Sequence, residues 1–326
     1  MILGIETSCD DTCAAVVSEE GLVLSNVVSS QAALHDRYGG VVPEVASRQH
    51  LKLINAVIDR ALSDACIELD AIDRIAVTRG PGLIGALLVG ITTAKGLAAA
   101  QGIPLVPVDH LHGHVAACFL DPEPFDPPFL CLVASGGHTL MGVVKERSGF
   151  ERVGHTLDDA AGEALDKGAR LLGLSYPGGA ALDRLAQGGS DRAFDFPVAM
   201  RGEDDFSFSG LKTALVYKAR NLGEQETQRR AADLAASYQR AVCDQLLEHV
   251  DRALGKYPYG RLALGGGVTA NSQLRRRARN LAESRGVSLK ILSPQLCTDN
   301  AAMIASAARY LEPLEHPDYL KLDAVT

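Results

Sequence analysis

Three histidines fall within five residues, His110-Leu111-His112-Gly113-His114, and imidazole is the side chain most often found on a bound metal. They follow Val106-Pro107-Val108-Asp109, a short apolar run closed by a good helix-capping residue. The spacing therefore predicts a strand, Asp109 as N-cap, and a helix that begins at His110. On such a helix His110 and His114, four apart, share one face while His112 points elsewhere. Two imidazoles so placed can grip one divalent ion, and they can equally be polar residues at a helix start. Two ligands do not complete a site, so a third must come from elsewhere in the chain.

The elements that would position this pair follow a repeated plan. Residues 2–17 (Ile2-Leu3-Gly4-Ile5-Glu6, then Thr7-Ser8-Cys9-Asp10-Asp11, then Thr12-Cys13-Ala14-Ala15-Val16-Val17) read as two apolar strands around a tight turn rich in hydroxyls and carboxylates. Strand, small polar turn and strand return at residues 129–144, with Ser135-Gly136-Gly137-His138 as the turn. Recurrence of one unit about 130 residues on points to a duplicated domain with both turns facing a common cleft. Between the hairpins, residues 44–66 carry a helical pattern, Ile75-Ala76-Val77-Thr78 reads as a buried strand, and Arg79-Gly80-Pro81-Gly82 as a turn. The glycine-rich helix from Leu83 to Ala100 either offers amides to an anion at its N-terminus or simply packs closely. Residues 121–128, rich in proline, are the expected linker.

In the second half, residues 158–173 read as a helix with Asp166 and Lys167 near its middle. Tyr176-Pro177-Gly178-Gly179 is a turn before a helix holding Asp183, and the stretch from Asp204 through Thr213 is expected to enter a long helical region running to about Leu254. Arg261-Leu262-Ala263-Leu264 followed by Gly265-Gly266-Gly267 gives a strand and a turn through which backbone can approach a nucleotide. Asp299 stands just before an alanine-rich helix that it could cap.

A chain of 326 residues is long enough for two domains. There is no tryptophan, so aromatic platforms for stacking single-stranded bases are scarce. The net charge of −8 argues against a nucleic-acid partner unless a local basic patch overrides it. The densest such patch is Arg275, Arg276, Arg277 and Arg279. Residues 81–100 come closest to a membrane span, but Lys95 and the glycines fit a buried helix better, and no signal peptide pattern opens the sequence, so a cytoplasmic protein without a membrane is expected. Seven scattered cysteines without a CxxC pair suit a reducing compartment.

Taken together, eight motifs in order resemble one family over nearly the whole chain. They are Gly4-Ile5-Glu6-Thr7-Ser8-Cys9-Asp10-Asp11-Thr12, the His110/His114 pair, Ser135-Gly136-Gly137-His138-Thr139, Gly162-Glu163-Ala164-Leu165-Asp166-Lys167, Tyr176-Pro177-Gly178-Gly179, Phe206-Ser207-Phe208-Ser209-Gly210-Leu211-Lys212-Thr213, Gly265-Gly266-Gly267-Val268 and Asp299-Asn300-Ala301-Ala302-Met303. The family is that of the tRNA adenosine threonylcarbamoyltransferases, formerly called O-sialoglycoprotein endopeptidases, and the likeness is to its bacterial catalytic subunit. Two departures stand out: Ala134 where valine is more usual, and Gly168 where a larger residue is.

The resemblance implies an α/β protein of two related actin/hexokinase/Hsp70-like (ribonuclease H-like) domains with a nucleotide cleft between them. The first would comprise residues 1–110 plus 300–326, the second residues 111–299. It implies transfer of a threonylcarbamoyl group from threonylcarbamoyl-AMP to N6 of adenosine 37 in tRNAs reading codons that begin with A. His110, His114 and Asp299 would be metal ligands, a set that suits Fe(II), which the resemblance favours, or zinc. Val133, Ala134, Ser135, Gly136 and Gly137 would meet the phosphate region of the adenylate, and Asp166, Gly179, Asp183 and Asn271 its ribose and adenine. Asp11 is the candidate proton acceptor. An inactive paralogue of the same fold and a small P-loop ATPase are the implied partners. The older name offers a metalloprotease as the rival reading, but Leu111 stands where such enzymes carry a glutamate beside the first histidine. An ATP-binding, sugar-kinase-like protein is the other, disfavoured because magnesium sites rarely use imidazole.

Overall fold

The structure, a computed structural model, describes residues 1–120, 122–175 and 177–325. Tyr176, which opens the Tyr176-Pro177-Gly178-Gly179 motif, and Asp121, at the head of the expected linker, lie outside the described residues. The chain forms two compact units: Met1–Pro127 with Glu146–Phe150 and Thr298–Thr326, and Pro128–Lys145 with Glu151–Cys297. The first division falls after Pro127 rather than near residue 110. The His110–Ala116 helix packs on the Ala301–Ala308 helix of its own unit, where Ser306 Oγ donates to the Ala116 carbonyl at 2.7 Å.

In the first unit, strands β1 (Ile2–Glu6), β2 (Asp11–Val17), β3 (Val23–Ser30), β4 (Arg74–Gly80) and β5 (Leu105–Asp109) form one sheet in the order β3-β2-β1-β4-β5. The hairpin pairs are antiparallel, and β1, β4 and β5 run parallel. Helices Pro43–Asp64 and Ile84–Gln101 bury Ile54, Val57, Ile58, Leu87 and Ile91 in one core with Leu3, Ile5, Ile75 and Val77 of the sheet. The second of these helices is long and apolar enough to cross a membrane, yet Ala86, Leu87, Gly90, Ile91, Ala94 and Ala98 are buried inside this unit. Two of its three glycines serve close packing: a Cβ on Gly90 would stand 2.4 Å from Thr7 Oγ1, and one on Gly85 2.5 Å from Ser47 Oγ, whereas one on Gly96 would meet nothing.

The alanine-rich helix Ala301–Ala308 is buried at every position. It lies so close to β1 that a Cβ on Gly4 would come within 2.3 Å of the Ala301 carbonyl oxygen. Similarly, a Cβ on Gly113 would meet Ile304 Cδ1 at 2.7 Å. Small residues on both sides thus let this helix nest against the sheet and the histidine helix. Overpacking such a contact costs about 1–3 kcal/mol.

In the second unit, β6 (Phe129–Ala134), β7 (Thr139–Glu146), β8 (Gly149–His155), β9 (Arg261–Gly265) and β10 (Ser288–Ile291) form a sheet ordered β8-β7-β6-β9-β10, which repeats the first sheet strand for strand. β6 and β7 are antiparallel, and β6, β9 and β10 run parallel, as in the first unit. The duplication expected from the two hairpins is therefore present in the topology. The long helical region is broken into Ser209–Leu222, Glu224–Arg229 and Ala231–Lys256, because Gly223 takes a positive φ of 76° and Arg230 leaves helical geometry. The helix around Asp166 runs Ala161–Leu171. Gly168 within it has a clear reason: the Tyr238 ring occupies the space a side chain would need, 2.5 Å from an added Cβ, and its hydroxyl donates to the Ala164 carbonyl at 2.8 Å.

Candidate functional site

Strand β5 delivers the histidines as the sequence predicts. Asp109 caps the His110–Ala116 helix, its carboxylate accepting from the amides of Leu111 at 2.8 Å and His112 at 3.0 Å. His112 leaves the pair and meets the Arg147 carbonyl through Nε2 at 3.1 Å. His110 and His114 stand edge to face with ring centroids 4.7 Å apart.

Asp299 joins them from the far end of the sequence. Capping of the following helix falls to Asn300, whose Oδ1 accepts from the Met303 amide at 3.0 Å, and not to Asp299. Asp299 Oδ1 instead lies 3.3 Å from His114 Nε2 and 3.7 Å from His110 Nε2. One ligand atom from each of the three residues falls within 4.8 Å of the other two. Donors about 2.0–2.2 Å from a tetrahedral ion stand about 3.3–3.6 Å apart, close to these separations. His114 is completely buried and neither ring nitrogen makes a hydrogen bond, an arrangement that costs free energy unless something occupies the lone pair. The donor set, the spacing and this orphaned imidazole together fit a divalent ion. Asp299 keeps some solvent exposure whereas the rings are enclosed, so the opening lies on the carboxylate side. Burial pushes the thiols of Cys9 and Cys13 up, so neither is held as a thiolate beside this cluster.

Behind the histidines sits Glu6, fully buried at the end of β1. Its Oε2 is 3.0 Å from His110 Nδ1 and accepts from Thr78 Oγ1 at 2.6 Å, while Oε1 accepts from the Ser8 amide. Burial pushes His110 down, but the carboxylates of Glu6 and Asp299 outweigh it and raise the imidazole to about 9. Sequence reasoning did not assign Glu6 a role; its one signal was a carboxylate closing an otherwise apolar strand. Asp11, in the same hairpin, has a buried Oδ1 without a hydrogen-bond partner. Burial, with Asp10 and Asp299 adding to it against a hydrogen bond from Ser30, raises its carboxyl to about 7. The loop that carries it is held by His50, whose Nε2 donates to the Cys9 carbonyl at 2.9 Å while Nδ1 meets Thr12 Oγ1 at 2.8 Å.

The residues expected to contact an adenylate all lie in the second unit. Val133 and Ala134 are core residues of β6, so only their backbone is available. Gly136 and Gly137 are exposed, with open space where side chains would be. The turn is shaped by Ser135, whose amide donates to the His138 carbonyl at 2.7 Å and whose Oγ accepts from the His138 amide at 3.1 Å. Asp166 Oδ1 accepts from the Gly179 amide at 2.8 Å. Four residues along the Gly178–Ala186 helix, on the same face, Asp183 accepts from the Ser272 hydroxyl at 2.8 Å, its amide at 3.1 Å and Gln239 Nε2 at 2.9 Å. Asn271, next to Ser272, caps the Ser272–Arg285 helix through Oδ1, and its Nδ2 is buried without a partner. Asp166 with Gly179, and Asp183 with Ser272 beside Asn271, are thus two hydrogen-bonded groups along one helix face, the second next to the orphaned Asn271 donor.

Residues 22–306 match the family described as tRNA N6-adenosine threonylcarbamoyltransferase. The chain belongs to that family. A protein of this name from Clostridium perfringens (strain SM101 / Type A) is 49% identical over 317 residues, covering 97% of this chain and 93% of that one. Among solved structures, HypF from T. kodakarensis superposes with a TM-score of 0.63 at 15% identity over 94% of this chain and 46% of its own. The activator of the 2-hydroxyisocaproyl-CoA dehydratase from Clostridium difficile, with bound ADPNP, gives 0.55 at 13% identity over 95% and 93%. These two share the fold, which is of the actin and hexokinase type. A threonylcarbamoyltransferase is an acyltransferase acting on tRNA, and this replaces the protease reading that the older family label suggested.

The Phe206-Ser207-Phe208-Ser209 motif of the threonylcarbamoyltransferase chain has a local task. Ser207 and Ser209 hydroxyls donate to Asp158 at 2.6 and 2.7 Å, and the Phe208 amide donates at 2.8 Å. Burial pushes the Asp158 carboxyl up, but these donors outweigh it and hold it below the usual range at the start of the Ser209–Leu222 helix. Of the four clustered arginines, Arg275 reaches the Thr269 and Leu292 carbonyls and Arg277 pairs with Asp244. Arg276 and Arg279 are exposed, share a helix face, and have no salt bridge among the described residues.

Proposed function

We propose that this chain transfers the threonylcarbamoyl group from threonylcarbamoyl-AMP to N6 of adenosine 37 in tRNAs reading codons that begin with A. A bond forms between N6 and the carbamoyl carbon, the bond from that carbon to the phosphate oxygen breaks, and AMP leaves with the electron pair while N6 gives up a proton. The donor is a mixed anhydride and already activated, so the work of the protein is positioning and proton transfer. The observation that carries this reading is the meeting of His110, His114 and Asp299 in a chain of this family.

The exposed Gly136-Gly137 turn gives the adenylate phosphate close access to backbone, while Asp166, Asp183 and Asn271 hold ribose and base, with Asn271 Nδ2 as the unspent donor. Asp11, raised to about 7, is poised to accept the N6 proton near neutral pH. His110, His114 and Asp299 would hold one divalent metal, Fe(II) by resemblance or zinc, and the metal would supply positive charge to polarise the carbamoyl carbonyl or anchor the threonyl group. Arg276 and Arg279 offer unpaired charge to tRNA phosphates. An inactive paralogue and a small P-loop ATPase are proposed as partners, in the cytoplasm. The test is nucleoside analysis of unmodified tRNA after incubation with the chain, those partners and threonylcarbamoyl-AMP. Threonylcarbamoyladenosine should accumulate and AMP be released; unmodified nucleosides in every reaction would refute the proposal.

A further inference from the structure

Glu6 touches none of the surfaces assigned to substrate and is not among the three ligands. It is nevertheless the most enclosed carboxylate of the first unit's polar corner, with no solvent exposure and three polar partners, Ser8 N, Thr78 Oγ1 and His110 Nδ1, the last of which also meets Ser8 Oγ at 3.2 Å. An ionised carboxylate only accepts hydrogen bonds, so its 3.0 Å contact with Nδ1 requires the proton to be on Nδ1. In the neutral, ligating form of the ring, the other nitrogen, Nε2, which faces Asp299, is then the one available to a metal. His114 has no such partner, since its Nδ1 is buried and unbonded.

We propose that Glu6 is a positioning residue that fixes the tautomer and ring orientation of His110, making it the pre-organised imidazole of the pair and leaving His114 the loosely held one. The inference rests on the metal reading above. Ligating histidines commonly pass their second N–H to a carboxylate, which orients the ring and makes the ligating nitrogen more basic. The Ser8 amide, the Thr78 hydroxyl and His110 Nδ1 all converge on the two Glu6 oxygens, the arrangement an acceptor-only carboxylate requires in an enclosed site.

The bland account is that Glu6 merely ties β1 to β4 through Thr78. Glu6→Gln separates the two. A glutamine that keeps an oxygen toward the Ser8 amide must turn its NH2 toward His110, which then accepts on Nδ1 and carries its proton on Nε2, the wrong nitrogen for a ligand. The opposite rotamer sets NH2 against the Ser8 N–H. A structural tie would lower the melting temperature and leave metal affinity alone; a positioning role changes affinity in folded protein.

The experiment titrates Zn(II) into metal-free full-length chain by calorimetry, for wild type, Glu6→Gln, Thr78→Val and His110→Ala, each checked for folding by circular dichroism. Long-range 15N spectra of the zinc-loaded protein report which His110 nitrogen carries hydrogen. Glu6→Gln should weaken zinc about 10- to 100-fold. Thr78→Val, which keeps the carboxylate but removes one of the two partners of Oε2, should weaken it less and in the same direction. Wild type should show hydrogen on Nδ1 and zinc on Nε2. Zinc affinity of Glu6→Gln within twofold of wild type, with His110→Ala unable to bind, overturns the role of Glu6 and leaves the metal site standing. If Glu6→Gln does not fold, wild-type affinity in Thr78→Val together with hydrogen on Nε2 of wild-type His110 overturns it. Failure of wild type to bind zinc, Fe(II) or Co(II) overturns the metal reading and this inference with it.

Discussion

The two hairpins of this chain share a topology and almost nothing of their chemistry. In the first, β1 and β2 meet around a polar corner in which Glu6 is fully enclosed, Asp11 is half-buried, and His50, Thr12 and Thr78 hold the loop and the carboxylate in place. In the second, β6 and β7 meet at Ser135-Gly136-Gly137-His138, which carries no carboxylate and leaves both glycines open to solvent. Strand order is the same in both sheets. One fold therefore yields a buried, negatively charged corner suited to cations and proton transfer, and an uncharged turn that an anion can approach along bare backbone. What differs is the set of side chains placed where the strands end, and how deeply they are covered.

The sharpest way to break the comparison is to remove the charge at the first turn. Asp11→Asn should lower the transfer rate about 10²- to 10⁴-fold, the range for loss of a positioned general base. In wild type the rate should rise with pH through about 7 as the Asp11 carboxyl ionises, and this limb should vanish in the variant. The linkage sign is also testable. Asp11 has a folded value raised far above that of an unfolded aspartate, so its contribution to stability is full at low pH and is lost as pH climbs from about 4 through 7. Asp11→Asn should therefore melt higher than wild type at pH 8 and show no such gain at pH 4, and melting curves at the two pH values decide it.

His114→Ala or Asp299→Asn should cost more metal affinity than the roughly 100-fold upper range for partners outside the ligand set. Metal analysis after dialysis against a weak chelator checks this, and His112→Asn, on another face, should retain the metal. In the second unit, which carries the second hairpin and the Ala161–Leu171 helix, the effects should be smaller and confined to nucleotide. Asp166→Ala should weaken AMP binding by about ten- to a hundredfold, since a hydrogen bond to a charged group is worth about 1.5–3 kcal/mol. Unchanged AMP affinity by calorimetry would remove Asp166 from the nucleotide surface. Smallest of all, Arg276→Glu with Arg279→Glu should reduce tRNA affinity of the assembled enzyme several-fold and flatten its salt dependence by about two phosphate contacts, with AMP binding intact. Wild-type affinity and salt slope in that variant would assign the tRNA path to another surface.

Local sequence carried the parts of this architecture that are local. The Asp109 cap and the four-residue spacing of His110 and His114 belong to a single turn of helix, and the two hairpins announce themselves by alternating apolar runs around short polar turns. The helix after Asp299 was legible too, although Asn300 rather than Asp299 proved to be its cap. Harder were the features set by distant partners. Glu6 gains meaning only from Thr78 and His110, 72 and 104 positions away. The unit boundary follows from packing of the histidine helix on Ala301–Ala308, which no window of sequence displays. Arg275 and Arg277 look like their neighbours until Leu292 and Asp244 claim them. In each case the deciding interaction is long-range, and composition or periodicity cannot encode it.

The close seat of the Ala301–Ala308 helix on Gly4 also orders events during synthesis. The first unit opens with β1 and is completed by residues translated only after the whole second unit has been made. Domains fold as they leave the ribosome, at about 5–20 residues per second. The nascent first sheet must therefore wait, with the groove beside Gly4 uncovered, while some 170 intervening residues are added and folded. Asp299 arrives just ahead of the helix that fills this groove, so the same docking event that hides the exposed apolar surface brings its carboxylate beside His110 and His114. A chain truncated before Thr298 consequently keeps two imidazoles without their carboxylate neighbour, and on the proposed metal reading only a chain translated past the second unit would hold all three ligands.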